Sequence, residues 1–201
     1  FDNILGLKIS LDNLFYLERY SIENYLISKD AIFELIREKD SKLKNHEIEN
    51  LFKYQKTLVD CKKLLSDLSC TFLIIQKYSL GKNYFGLNPS RDFDFSSTPP
   101  TYKNNFITSY FDSIELELKI INKRFTLNGQ ISKLKMHYNT IENALSNIPG
   151  KYLLNLLKHR LEYLSLIWQV NLESFTYKLS KEVNPTDLNY LRVSVTKYIH
   201  P

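Results

Sequence analysis

The longest helical pattern in the chain runs from Glu47 to Tyr78, with the sequence EIENLFKYQKTLVDCKKLLSDLSCTFLIIQKY. Its apolar residues recur at intervals that return to one face of an α-helix. That face comprises Ile48, Leu51, Phe52, Leu58, Leu64, Leu65, Leu68, Phe72 and Ile75. The pattern predicts one long helix or a bent pair of helices, around which a mostly helical protein would be built.

Shorter helices are predicted on both sides of this stretch. Asp30 precedes an apolar pattern over Ala31–Arg37 and lies where an acidic residue favours a helix start. The mostly apolar segment Phe106–Phe125 also favours a helix. Asn128-Gly129 is typical of a turn, and Ile131–Leu145 forms a weak helical pattern after it.

Two later segments carry stronger helical signals. Pro149-Gly150 opens a helix whose predicted apolar stripe is Leu153, Leu154, Leu157, Leu161, Leu164 and Trp168. Asn184-Pro185 supplies a preferred N-cap and a proline at the first helical position, which predicts a last helix through about Ile199.

Strand signals are confined to the beginning of the chain. The aromatic and apolar run around Asn13–Glu18 predicts a short strand, and Phe1–Leu5 resembles the end of another. Residues 80–103 hold glycines and prolines among Ser, Asn and Asp, which predicts a long surface loop. The expected fold class is therefore α+β and mostly helical.

The composition excludes collagenous, low-complexity and largely disordered proteins. The 201 residues are 43% hydrophobic and 24% charged, which is typical of an ordinary globular chain. The apolar runs are shorter than the roughly 18 residues of a membrane-spanning helix. Because Cys61 and Cys70 are expected on opposite faces of one helix, they should not pair. We expect a reduced, cytoplasmic protein without a membrane partner, and the start at Phe1 suggests a piece of a longer chain.

The most distinctive string is Tyr20-Ser21-Ile22-Glu23-Asn24-Tyr25-Leu26. A carboxylate and a carboxamide on adjacent residues after a strand suit a hard cation such as Mg²⁺, which prefers oxygen ligands. The alternative is structural: Ser21 and Asn24 would cap a turn, with Glu23 in the first turn of a helix. Spacing alone leaves both interpretations open.

Lys151 is the second candidate, because it follows Gly150 at a predicted helix start. Free backbone N–H groups, the positive end of a helix and a lysine together make a phosphate-binding site. The alternative is a solvated lysine. The net charge of +5 permits a polyanionic partner without requiring one.

Three segments together carry a resemblance to a known family. They are Phe1-Asp2-Asn3, the segment Glu18–Leu26, and Ile148-Pro149-Gly150-Lys151 before a leucine-rich helix. The chain resembles the Toprim-like family of uncharacterised domains that includes the effector nuclease subunit of the PARIS anti-phage system. The resemblance implies the C-terminal part of a Toprim-like α/β domain (residues 1–40), followed by a helical region (residues 41–201) with a long loop at about 80–104.

The resemblance also implies a site and an activity. Asp2, Glu23 and Asn24 would be metal-site residues for Mg²⁺ or Mn²⁺, and Glu23 and Lys151 would be catalytic. The reaction would be phosphodiester cleavage of RNA, with tRNA as one candidate, in anti-phage defence. An ATPase subunit would hold the effector inactive. The family's first glutamate and earlier aspartates are absent from this chain, so the chain alone should be catalytically silent.

Two other functions remain open. One is a non-catalytic helical interaction module that binds an ATPase partner or a second copy of itself as a homodimer. The other is a phosphate-binding regulatory module that needs Lys151 but not the acids.

Asp92 and Asp94 also form an Asp-x-Asp pattern, but their place in the loop predicts solvated residues rather than metal ligands.

Overall fold

The computed structural model describes residues 2–6, 19–97, 99–103 and 105–183, with the backbone alone described for Asp2 and Asn3. The α-helices are α1 Asp2–Leu5, α2 Lys29–Lys39, α3 Asn45–Phe52, α4 Tyr54–Lys77, α5 Pro89–Asp92, α6 Phe106–Ile121, α7 Leu127–Leu134, α8 Ile141–Asn147, α9 Gly150–Tyr163 and α10 Leu172–Glu182. The 3-10 helices are Ile22–Leu26 and Lys135–Tyr138, and the strands are β1 Phe93–Asp94 and β2 Thr101–Tyr102. The described part is thus mostly helical with a small sheet, as expected.

Helix α4 lies at the centre of the fold. It contacts α6, α7, α8 and α9, and its residues from Leu68 to Ile75 are almost entirely buried. A helix that is apolar on nearly all sides needs neighbours on all sides. Cys61 and Cys70 are both buried here with free thiols.

The long helical pattern forms a bent pair rather than one helix. Helix α3 ends at Phe52 and α4 begins at Tyr54, with Lys53 between them in the left-handed conformation at a φ of 51°. The Lys53 N–H donates to Glu49 O at 2.8 Å, which closes the last turn of α3. The Thr57 hydroxyl then donates to Phe52 O across the break.

The predicted loop at residues 80–103 contains some regular structure. Helix α5 begins after Asn88, whose side chain accepts from Arg91 N, and Pro89 is its first residue. The strands β1 and β2 pair antiparallel, Phe93 with Tyr102 and Asp94 with Thr101. Asp92 is buried, so the expectation that it is solvated is wrong.

Two local expectations are corrected beside the central helix. Asn128-Gly129 lies inside α7 rather than in a turn, because Thr126 caps that helix and its Oγ1 accepts from Gly129 N at 3.1 Å. The weak helical pattern after it is divided between α7, a 3-10 helix and α8.

The start of α9 at Gly150 is confirmed, but its apolar stripe is shorter than predicted. The helix ends at Tyr163, so Trp168 lies beyond it and is 54% exposed. The chain continues into α10, which packs against α2 and α9. The apolar side of α10 is formed by the buried residues Phe175 and Leu179.

The beginning of the chain also differs from the expectation. Asp2–Leu5 is a helical turn, α1, and not the end of a strand. The strand expected at Asn13–Glu18 and the last helix expected from Asn184 fall outside the described residues. Ile32 and Ile36 of α2 join the same core as α4, while the proposed domain boundary at residue 40 stays a prediction.

No helix in the described ranges combines the length and the apolar character that crossing a membrane would require.

Candidate functional site

The two most distinctive segments of the sequence lie against each other. The 3-10 helix Ile22–Leu26 contacts the beginning of α9, and Tyr20 N donates to Ser146 O at 2.6 Å just before it. Both segments come from distant parts of the chain, so the tertiary fold alone brings them together. Their contact positions Glu23 and Lys151.

Asn24 joins the two segments. Its side chain is fully buried, and its Nδ2 donates to Leu145 O at 2.7 Å and to Ile148 O at 2.8 Å. Its Oδ1 accepts from Ser21 N at 3.0 Å and from Ser21 Oγ at 2.8 Å. All four hydrogen-bonding positions of the carboxamide are therefore occupied.

This geometry corresponds to the capping interpretation of the segment. Asn24 N also donates to Ser21 O at 3.2 Å, which closes the turn, and Glu23 lies in the first turn of the 3-10 helix. Both lone pairs of the Asn24 carboxamide oxygen are used by Ser21. We therefore treat Asn24 as a positioning residue, although the sequence also suggested it as a metal ligand.

Arg19 holds the other side of the 3-10 helix. Its Nη1 donates to Asn24 O at 2.7 Å, and its guanidinium carbon lies 4.8 Å from the centroid of the Tyr25 ring. Tyr25 is buried, and its hydroxyl oxygen accepts from Arg19 N at 3.2 Å. A charged hydrogen bond and a cation–π contact together fix the backbone on which Glu23 is carried.

Glu23 and Lys151 line one open cleft, which has a volume of about 390 Å³. Glu23 is half-buried and Lys151 is exposed. Neither side chain makes a hydrogen bond or an ion pair with another residue of the described ranges. The remaining lining residues are Leu154, Leu172, Glu173, Thr176, Tyr177 and Ser180.

The start of α9 adds to the positive charge of Lys151. The N-cap residue is Pro149, and no side chain caps this helix. The first N–H groups of a helix lack intrahelical partners and carry the positive end of the helix dipole. Lys151 is the second residue of the helix, so its ammonium group and the dipole act at the same end.

The described residues do not make a complete metal site. Glu23 and Glu173 are the carboxylates among the residues that line the cleft. Nowhere in the described ranges do three His, Cys, Asp or Glu side chains form a group that could hold a metal ion. The side chain of Asp2, the other predicted ligand, lies outside the described residues.

The Asp-x-Asp pattern of the loop has a structural role. Asp92 accepts from Asn88 N at 2.7 Å and from Arg91 Nε at 2.6 Å, so it holds the loop together. Asp94 accepts from the hydroxyl and backbone N–H of Ser96, and these hydrogen bonds lower the pKa of the Asp94 carboxyl. Neither residue lines the cleft.

Several lysines that have another basic residue within two positions in the sequence lie away from the cleft. Lys62 donates to Asn139 O, Lys135 pairs with Asp67, and Lys158 pairs with Glu162. None of these lysines is among the cleft's lining residues. Lys62, Lys135 and Lys158 therefore do not join Glu23 and Lys151 in lining the cleft.

The residues of α10 that line the cleft were missed by the sequence analysis, which placed no helix there. A signal was present. Asn171 is an N-cap whose side chain accepts from Ser174 N at 2.7 Å, Glu173 is acidic in the first turn, and Phe175 and Leu179 have helical spacing. This signal predicts the helix but not that Tyr177 reaches the cleft.

Comparisons with known protein families, with curated proteins and with solved structures find no match to this chain.

Proposed function

We propose that this chain forms part of a metal-dependent, Toprim-like nuclease whose site includes Glu23 and Lys151. One observation carries the proposal: an acidic and a basic side chain from distant parts of the sequence line the same cleft. Neither charge is neutralised by another residue of the described ranges. An unpaired carboxylate and an unpaired ammonium group in one cleft suit a substrate phosphate that binds together with a metal cation.

The roles of the two residues follow from their chemistry. The Glu23 carboxylate supplies an oxygen ligand of the kind that Mg²⁺ and Mn²⁺ prefer. The Lys151 ammonium binds a phosphate oxygen of the substrate backbone. A divalent ion, when bound, activates water and stabilises charge on the phosphate oxygens. The further ligands would come from side chains that the structure does not describe, and Asp2 is the candidate that the resemblance names.

The substrate and the partner rest on the resemblance alone. We propose RNA, with tRNA as a candidate, as the substrate, and an ATPase subunit as the partner that holds the nuclease inactive in anti-phage defence. The net charge of +5 is compatible with a nucleic-acid substrate.

A nuclease assay on the full gene product tests the proposal. The protein is incubated with Mg²⁺ or Mn²⁺ and with a panel of tRNA and DNA substrates, in the presence of any ATPase partner encoded beside it. We expect Glu23→Gln to lower cleavage by about 100-fold or more, because even outer-shell partners of a metal contribute about 10- to 100-fold. Lys151→Gln should weaken cleavage and substrate binding together.

Matched controls separate the site from general charge effects. Glu182 and Lys63 are exposed and do not line the cleft, so Glu182→Gln and Lys63→Gln should cut like the wild type. Cleavage that is equally strong in wild type and Glu23→Gln would disprove the proposed role of the carboxylate.

The interaction module remains the second candidate, and one surface favours it. On α6, Leu116 is 65% exposed and Ile120 is 82% exposed, one helical turn apart. Exposed apolar residues that share a helix face are typical of a binding surface. If this function holds, Ile120→Lys changes the oligomeric state or the binding of the ATPase partner, whereas Glu23→Gln changes neither.

A further inference from the structure

Helix α10, which lines the cleft together with the start of α9, carries an exposed aromatic ring. Tyr177 lies on α10 and is 63% exposed. The buried residues Phe175 and Leu179 anchor this helix in the core, so Tyr177 is held on a rigid element. Aromatic side chains usually stabilise a fold through the large surface area that they bury. The exposed ring of Tyr177 contributes little to the core.

One face of the Tyr177 ring is covered by a cation. The Lys181 Nζ lies 4.4 Å from the ring centroid. Among the described residues, no other cation and no second ring lies over Tyr177. Because Tyr177 is 63% exposed, much of its ring is accessible to a planar partner, while Lys181 adds positive charge beside it.

The same cleft offers the complementary contact for a nucleotide. Lys151 supplies a cation for a phosphate, and Leu154 and Leu172 supply apolar surface between α9 and α10. Proteins that bind single-stranded nucleic acid combine cations along the backbone with aromatic rings on which bases stack. A base within a duplex has no free face, so the partner must present an unpaired base.

We propose that Tyr177 is a stacking platform for an unpaired nucleobase of a single-stranded nucleic acid whose phosphate contacts Lys151. This inference concerns the cleft of the proposed nuclease and names the part of the substrate that enters it. It does not require a bound metal ion, because stacking and the phosphate contact are made by this chain's own side chains.

Binding in the absence of metal tests the inference. Fluorescence anisotropy with the full gene product in EDTA measures the Kd for a labelled RNA strand of about 12 nucleotides. The second ligand is the same strand with abasic positions, and the third is the corresponding duplex. We expect Tyr177→Ala to weaken binding of the intact strand about 5- to 100-fold, and Tyr177→Phe, which keeps the ring, to bind within about twofold of wild type.

Two comparisons make the test specific. If the bases stack on the Tyr177 ring, the losses of binding free energy from removing the bases and from removing the ring should not be additive. The abasic strand should therefore bind wild type and Tyr177→Ala equally. Tyr163 is a matched control, because it is 52% exposed and does not line the cleft. Its ring also lies beside a cation, with the Arg160 guanidinium carbon 5.7 Å from the ring centroid. Tyr163→Ala should bind like the wild type. Thermal unfolding checks that each variant is folded.

Several outcomes would overturn the inference: equal binding by wild type and Tyr177→Ala, a preference for the duplex, or no binding of the single strand by wild type at low salt.

The binding and cleavage assays together distinguish a failure of the stacking site from a failure of the proposed nuclease activity. If Tyr177→Ala loses binding but no metal supports cleavage by wild type, the stacking site stands without the nuclease. If Glu23 is required for cleavage and Tyr177→Ala binds normally, the stacking site alone is disproved.

Discussion

Gly150 approaches Asn24 so closely that a Cβ at position 150 would lie 2.6 Å from Asn24 Oδ1. The same Cβ would lie 2.6 Å from Ser21 Oγ and 2.8 Å from Asn24 N. Only a residue without a side chain fits between the 3-10 helix and α9. This contact sets the distance between the backbone segments that carry Glu23 and Lys151, so it links the stability of the fold to the geometry of the cleft.

Gly150→Ala should therefore destabilise the protein. Alanine would normally favour a helix over glycine by about 0.5–1 kcal/mol, but here the backbone of Asn24 must move. We expect a loss of about 1–3 kcal/mol in the free energy of unfolding, measured by urea denaturation. Gly81→Ala is the control, because a Cβ there meets nothing within 4 Å. A Gly150→Ala variant as stable as the wild type would show that the contact is not tight.

Asn24→Asp separates a positioning role from a ligand role. The carboxylate would face the carbonyl oxygens of Leu145 and Ile148, which now accept from the Asn24 Nδ2. We expect a destabilisation of about 3 kcal/mol or more, because a buried charge would replace a hydrogen-bond donor. Mg²⁺ should not restore the lost stability.

The exposed Asn50 is the control for this substitution, and Asn50→Asp should change stability by less than about 0.5 kcal/mol. A melting temperature of Asn24→Asp that rises with Mg²⁺ concentration, and more steeply than in the wild type, would instead identify position 24 as a metal ligand.

Asp92→Ala should loosen the segment between α4 and α6. Asp92 is 1% exposed and accepts from Asn88 N and from two nitrogens of Arg91. Removing the Asp92 carboxylate removes the three hydrogen bonds that it accepts from Asn88 and Arg91, which should lower the free energy of unfolding by about 1–3 kcal/mol. Asp112 is exposed on α6, so Asp112→Ala should have little effect in the same urea titration. Equal stability of the two variants would refute the anchoring role.

Stability should decrease at alkaline pH. Burial raises the pKa of Cys61 from 9.0 to about 12, that of Cys70 likewise, and that of Tyr54 from 10.0 to about 12. Each folded-state pKa lies above the unfolded value, so the folded state holds the protons more tightly. The stabilisation is complete below about pH 9 and is lost as the pH rises towards 12.

Urea unfolding between pH 7 and pH 11 measures this loss. Cys61→Ala removes one of the titrating groups. The free energy of unfolding should therefore fall less steeply with pH than in the wild type, and the two slopes should differ by up to about 1.4 kcal/mol per pH unit. Parallel profiles for the variant and the wild type would show that the Cys61 thiol ionises equally in both states.

Local patterns predicted much of the helical structure. The apolar spacing of the Ala31–Arg37 segment and the signal at Pro149-Gly150 correspond to α2 and α9, because periodicity and capping depend on residues within a few positions. The long pattern predicted one helix or a bent pair, and the structure places the bend at Lys53. The turn predicted at Asn128-Gly129 was wrong, because both residues lie in a helix that Thr126 caps.

The candidate site shows the same division. Spacing along the chain singled out Glu23 and Lys151 as separate candidates, because carboxylates, lysines and helix starts have recognisable local chemistry. The packing of α9, α10 and the 3-10 helix decided that both residues line one cleft together with Tyr177, and that Asn24 is buried against Gly150. Such contacts depend on complementary shapes and hydrogen bonds between distant segments, which short-range patterns do not encode.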